Sequence, residues 1–169
     1  LLRGHFLHVV RDTVRLPGGR EATREYVLHP GAVMVIGLLD DGRVVLERQY
    51  RHPMRDVMLE FPAGKRDPNE DSLTCAMREL REETGLEVAL TDLQFLGVVH
   101  RLSDTNRIDF FVRAERFVGE PRIVEPDKCD RLEWHDPRLL PAATVAYVRA
   151  ALEAGEPPWV LELGWSDGA

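Results

Sequence analysis

Between Gly64 and Leu86 the chain reads GKRDPNEDSLTCAMRELREETGL, which sets Glu70, Glu79, Glu82 and Glu83 along one helix and the turn leading into it. Within residues 72 to 84, Leu73, Ala76, Met77 and Leu80 follow the i, i+3, i+4, i+7 spacing of a buried stripe. Asn69 or Asp71 suits the N-cap, and Gly85 suits the left-handed residue that ends a helix. At about 100° per residue, Glu79, Glu82 and Glu83 fall within an arc of roughly 100° on one flank. Like charges at this spacing destabilise a helix by a few tenths of a kcal/mol each, and Arg78 offsets only part of that through Glu82, its i+4 partner. A divalent cation removes the conflict. Carboxylate oxygens suit Mg²⁺ or Mn²⁺, and one or two such ions keep open positions for phosphate oxygens. Taken alone, three acids on a helix are more often a solvated face.

The full spacing alters that weighing. Gly64, Glu70, Arg78, Glu79, Glu82, Glu83 and Gly85 stand at fixed intervals, with apolar Leu80 and Leu86 between and after them. Seven positions, each matched by chance about once in fifteen, recur by accident at ~10⁻⁸ per starting point. The pattern resembles the signature of the Nudix hydrolases at every position. That resemblance implies a divalent metal and cleavage of a pyrophosphate joining a nucleoside diphosphate to another group. By position it implies Glu79 and Glu83 as principal metal ligands, Glu82 as a further ligand and the Ala63 carbonyl as another. Arg78 and Glu70 are implied to orient the set. Metal-bound phosphate loses its repulsion toward water, and a carboxylate takes the proton as water attacks.

Residues 5 to 88 resemble the ADP-ribose pyrophosphatase branch through RDTVRLPGGREATREYVLHPGAV, LERQYR and LEFPAGK. This likeness implies a homodimer built with an N-terminal β extension, with Arg51 gripping substrate phosphate and Arg55 as a second candidate. Residues 97 to 165 are similar instead to MutT-type nucleoside triphosphate pyrophosphohydrolases, through HRLSDTNRIDFF, GEPRIVEPDKCDRLEW and ELGW. His100 and Arg101 stand where the ADP-ribose branch usually carries proline. The general base is open among Glu115, Glu120 and Glu125, and EPDKC favours Glu125. Two readings of substrate follow, ADP-ribose or a relative, and a normal or oxidised nucleoside triphosphate. A non-hydrolytic nucleotide sensor is the third reading, although such proteins usually lose signature carboxylates and this chain keeps them all. His100 reads as a strand residue, and Trp134, Trp159 and Trp165 as core or cover, with Trp159 a candidate to stack an adenine.

These residues need a frame. At 169 residues the chain fits one domain, 1–169, with an N-terminal β extension at 5–29 and the loop-helix-loop at 64–86. A net charge of −7 would repel nucleic acid and anionic membranes, so an anionic nucleotide must be met by local arginines or a metal. Cys75 and Cys129, one in a helical pattern and one in a loop, suggest reduced thiols and a cytoplasmic protein. The opening LLRGHFLHVV lacks a long apolar run, so neither a signal peptide nor a membrane span is expected, and a start at Leu1 suggests trimming.

HFLHVVRDTVRL and EATREYVLH flank PGGR as a first hairpin, and GAVMVIGLL and RVVLERQYR flank DDG as a second. GAVMVIGLL is apolar on both faces and reads as a central strand. LQFLGVVHRL and RIDFFVRAERF are further strands about the loop SDTN, RLEWHD is a short strand, and PAATVAYVRAALEAG is a C-terminal helix. The expected class is α/β (α+β): an α/β/α sandwich around a mixed sheet.

Overall fold

The run AVMVIG carries no polar side chain, so as a strand it must be covered on both faces, and the larger part of the chain is assembled around it. The computed structural model describes residues 2–4, 8–102 and 106–165, with backbone alone at 106 and 107. The expected start of the β extension at residues 5–7 and most of the SDTN loop, residues 103–105, lie outside the described residues. The chain divides into two units, Leu1–Pro30 and Gly31–Ala169.

The first unit is a three-stranded antiparallel sheet of β1 (Leu2–Arg3), β2 (His8–Arg15) and β3 (Glu21–Leu28), in that order. The PGGR hairpin forms as the sequence indicates, with pairing from Arg15↔Glu21 out to His8↔Leu28. Its turn closes through Gly19 N–H donating to the Leu16 carbonyl at 2.8 Å.

The second unit contains β4 (Ala32–Gly37), β5 (Val44–Arg51), β6 (Asp56–Glu60), β7 (Ala63–Lys65), α1 (Ser72–Thr84), β8 (Leu93–Leu102), β9 (Asn106–Ala114), β10 (Cys129–His135), α2 (Ala146–Glu153) and β11 (Trp159–Leu163). Five strands form a mixed sheet in the order β11-β8-β9-β4-β7, with β4 parallel to β9 and β11 parallel to β8. Three others form an antiparallel sheet, β10-β5-β6. One face of β4 presents Val33 and Val35 to Cys75, Ala76 and Leu80 of α1. The opposite face presents Met34 and Ile36 to Val44, Leu46, Leu59, Phe61, and Val148 and Ala151 of α2.

Helices therefore lie on both sides of the mixed sheet, as expected, and a second small sheet shares the α2 side. The second expected hairpin differs. Around the DDG turn the backbone pairs at the Leu38↔Val44 bridge, just past the end of β4, and β4 and β5 then enter different sheets. The doubly apolar β4 is drawn to β9 and β7, leaving β5 to pair with β6 and β10. Strands β6, β7 and β11 were not foreseen.

Leu80 is fully buried between α1 and β4. Leu80→Ala should cost about 2–5 kcal/mol in urea denaturation, and a loss under about 1 kcal/mol would contradict this packing.

Candidate active site

Helix α1 begins where Asp71 accepts hydrogen bonds from the Leu73 and Thr74 amides, both at 3.0 Å, so Asp71 rather than Asn69 is the cap. It ends at Gly85, whose φ of 72° is the left-handed conformation that glycine adopts without strain. These two signals fix the length of the helix and hence the phase of its acidic flank.

Arg78 gathers that flank. Its Nε and Nη2 donate to the two oxygens of Glu70, each at 2.9 Å, and Nη2 also donates to the Lys65 carbonyl at 2.8 Å. Nη1 donates to Glu79 Oε1 at 2.8 Å and to Glu82 Oε2 at 3.1 Å. One guanidinium thus ties the turn before the helix to two helix carboxylates. The hydrogen bond from Arg78 holds the Glu70 carboxyl down at about 2. Burial raises Glu79, with Arg78 pulling in the opposite direction. Gly64 makes room for Glu79: a Cβ there would stand 1.8 Å from the Glu79 Cδ and 2.0 Å from either oxygen.

Glu83, only 8% exposed, accepts the Ala63 amide at Oε2, 2.8 Å. The loop after β9 returns to this end of the helix, where the Arg122 amide donates to the Thr84 carbonyl at 2.8 Å and the Val124 amide to the Glu83 carbonyl at 3.4 Å. Those bonds satisfy carbonyls left open at a helix C-terminus and carry Glu125 to the same place. Glu125 is paired with Lys128 Nζ at 2.7 and 2.8 Å. Glu115 is instead held by Arg113 at 2.8 Å, and Glu120 is exposed.

The sequence reading missed Glu47. It lies on β5, is 4% exposed, and its Oε1 has no hydrogen-bond partner. Burial pushes its carboxyl up, and the charge of Glu125 pushes further. Glu83 is raised by burial and then by Glu47. An acidic residue inside the apolar run VVLE was the available signal, because an uncompensated charge is costly at a core position.

Arg51, at the far end of β5, donates through Nε to both oxygens of Glu60 at 3.2 and 3.1 Å, and Nη2 joins the same carboxylate. The arginine remains partly open while Glu60 is buried, so a donor group is presented from a fixed base. Arg55 is exposed in the following turn with φ of 54°. His100 lies against Trp165 with ring centroids 4.8 Å apart, and Trp159 packs on Phe111 at 5.5 Å as a core residue.

The donor set fits a hard divalent cation: carboxylate oxygens, an orphaned oxygen on Glu47 and a glycine cradle under Glu79. Among the described residues no three such groups converge closely enough to hold an ion as they stand. Arg78 holds Glu79 at Oε1 and Glu82 at Oε2, and the Ala63 amide holds Glu83 at Oε2, so in each carboxylate the second oxygen stands outside these bonds.

Gly64→Ala should displace the Glu79 carboxylate and weaken Mn²⁺ binding, and Mn²⁺ binding equal to wild type would refute the close approach of Glu79. A second expectation concerns pH. Glu47, Glu79 and Glu83 have folded values above the ordinary 4.5, so their contribution to stability is intact below 4.5 and is lost as pH rises through the folded values. Chelator-treated protein should melt at falling temperature as pH rises from about 5 to 8, and Mg²⁺ should restore it at pH 8. A metal-free melting temperature that climbs over this range would contradict the burial of these acids.

Comparison with known proteins identifies the family. The NUDIX domain matches residues 28–154. The chain is 42% identical over 87 residues to the methanol dehydrogenase activator of Bacillus methanolicus, covering 52% of this chain and 47% of that protein. It is 35% identical over 127 residues to the ADP-ribose pyrophosphatase of Mycobacterium tuberculosis, covering 74% of this chain and 61% of that one. It thus spans from about half to three-fifths of the length of these relatives. The crystal structure of a MutT NUDIX hydrolase from Burkholderia pseudomallei superposes with a TM-score of 0.66 at 29% identity, over 73% of this chain and 95% of that one. With a complete signature on α1 and a domain match across most of its length, the chain belongs to the Nudix family.

Proposed function

We propose that the chain is a divalent-cation-dependent pyrophosphatase that hydrolyses ADP-ribose or a related nucleoside diphosphate derivative to a nucleoside monophosphate. The observation that carries this reading is the set of helix carboxylates Glu79, Glu82 and Glu83, the first two tied to Arg78 and the third to the Ala63 amide. The likeness to an ADP-ribose pyrophosphatase over 127 residues supports the substrate class.

Glu79, Glu82, Glu83 and the Ala63 carbonyl would hold Mg²⁺, with Mn²⁺ as a substitute. Bound there, the ion draws charge from phosphate oxygens and lowers the barrier to attack by water. Arg51, braced by Glu60, pairs with the diphosphate, and Arg55 extends that contact from the next turn. Glu125 takes the proton of the attacking water as its oxygen bonds to phosphorus and the anhydride P–O bond breaks. For ADP-ribose the products are AMP and ribose 5-phosphate. Arg78, fixed by Glu70, keeps the helix carboxylates aligned. The N-terminal sheet suits a homodimer contact, and buried free thiols at Cys75 and Cys129 suit a cytoplasmic setting.

The likeness to the MutT structure favours a second reading, release of pyrophosphate from a nucleoside triphosphate. Parallel incubations with Mg²⁺ and either ADP-ribose or a triphosphate panel separate the two. AMP from ADP-ribose is expected, with kcat/KM lowered on the order of 10²-fold or more in Glu83→Gln. Arg51→Ala should raise KM about tenfold or more, since a charge-assisted bond to phosphate is lost. Monophosphate and pyrophosphate from triphosphates alone would establish the second reading, and binding without turnover would leave a nucleotide sensor.

A further inference from the structure

Glu47 poses a problem that the proposed machinery does not absorb. Its parity along β5 places it on the face of Val45, which packs with Cys129 and Leu132. Across the antiparallel ladders it stands opposite Glu60 on β6 and Leu132 on β10. Neighbours of this kind, an acid on one side and a leucine on the other, give a carboxylate nothing to bond. At 4% exposure with Oε1 unpartnered, Glu47 bears a desolvation cost that buried carboxylates normally offset with a cation or a donor.

The basic side chains facing it are already engaged. Arg51 holds Glu60 through two nitrogens, and Lys128 holds both oxygens of Glu125. The remaining acid on this side is Glu83, anchored to the Ala63 amide three residues beyond Glu60. Glu47 stands opposite Glu60, and Glu83 is tied to the backbone three residues beyond Glu60, so two nearly buried carboxylates approach the same end of β6. An apolar residue at position 47 would extend the Val45 and Leu132 cluster at no such cost, so the charge needs an occupant.

We propose that Glu47 is a ligand for a divalent cation, sharing a subsite with Glu83 on the β5 side of the glutamate helix. This rests on the cation-dependent reading above and adds to it a strand carboxylate outside the signature. Hard oxygen donors select Mg²⁺ or Mn²⁺ here, as they do on the helix flank.

The test is a Mn²⁺ titration of the full chain, with free Mn²⁺ read by electron paramagnetic resonance. Wild type is compared with Glu47→Gln, Glu83→Gln and the exposed same-charge control Glu156→Gln. Glu47→Gln should bind one ion fewer, or bind at least about tenfold more weakly, while Glu156→Gln matches wild type. Should Glu47→Gln fold poorly, anomalous diffraction from wild-type crystals grown with Mn²⁺ gives an independent answer, with a manganese peak expected beside the Glu47 carboxylate. A Glu47→Gln curve that overlays wild type, or no peak there, overturns the inference while Mn²⁺ loss in Glu83→Gln leaves the catalytic reading standing. Failure of wild type to bind Mn²⁺ at all overturns both.

Discussion

Arg78 is the interaction on which the site depends. A planar guanidinium offers donors in a fixed fork, and here the fork is used on both sides: two bonds to Glu70 in the entering turn, and one each to Glu79 and Glu82 on the helix. Without that cation the three carboxylates would repel across less than two turns of helix. With it, the loop and α1 are locked in register, and the Gly64 backbone is brought so near Glu79 that a side chain there would displace the Glu79 carboxylate. A lysine could neutralise one carboxylate but could not span the set.

Toward its C-terminal end the same flank is organised on a different principle. Lys128 is committed to Glu125, and burial works against ionisation of Glu47 and Glu83. Such an arrangement lowers stability in the absence of a counter-ion, and sites of this kind are kept where the charge has a task. The cost is borne by the rigid frame beneath: Glu47 lies in the central strand of the small sheet, and Glu83 is held at the Ala63 amide at the start of β7. A cluster of acids on mobile loops would relax into water, whereas this one has little freedom to do so.

What could be read from sequence was what local chemistry specifies. The Asp71 cap, the apolar stripe and Gly85 define α1 within its own residues, and PGGR defines its hairpin in the same way. The DDG turn was equally clear, yet β5 left its neighbour, because pairing between strands is decided by which faces must be covered across the whole unit. Strand β7, three residues long, and the parallel partner β11 have too little local pattern to announce themselves. Glu47 was hidden by its setting in an apolar strand whose recognised feature was Arg51. Which of Glu115, Glu120 and Glu125 comes near the end of α1 depends on the loop path, which is set by helix-end carbonyls far away in sequence.

The two resemblances seen along the chain also acquire a physical meaning. They are not two modules side by side. Strand β9 from the later half pairs with β4 from the earlier half, and β10 pairs with β5, so both sheets of the second unit are woven from both halves. The acidic group is woven in the same way, with Glu47 and Glu83 from one half and Glu125 from the other. A frame shared to this degree constrains each half to accept the other's packing, so on the function proposed above substrate preference would fall to groups at its edges: the partly open Arg51 at the end of β5, and the segment around Glu125 whose backbone bonds to the end of α1.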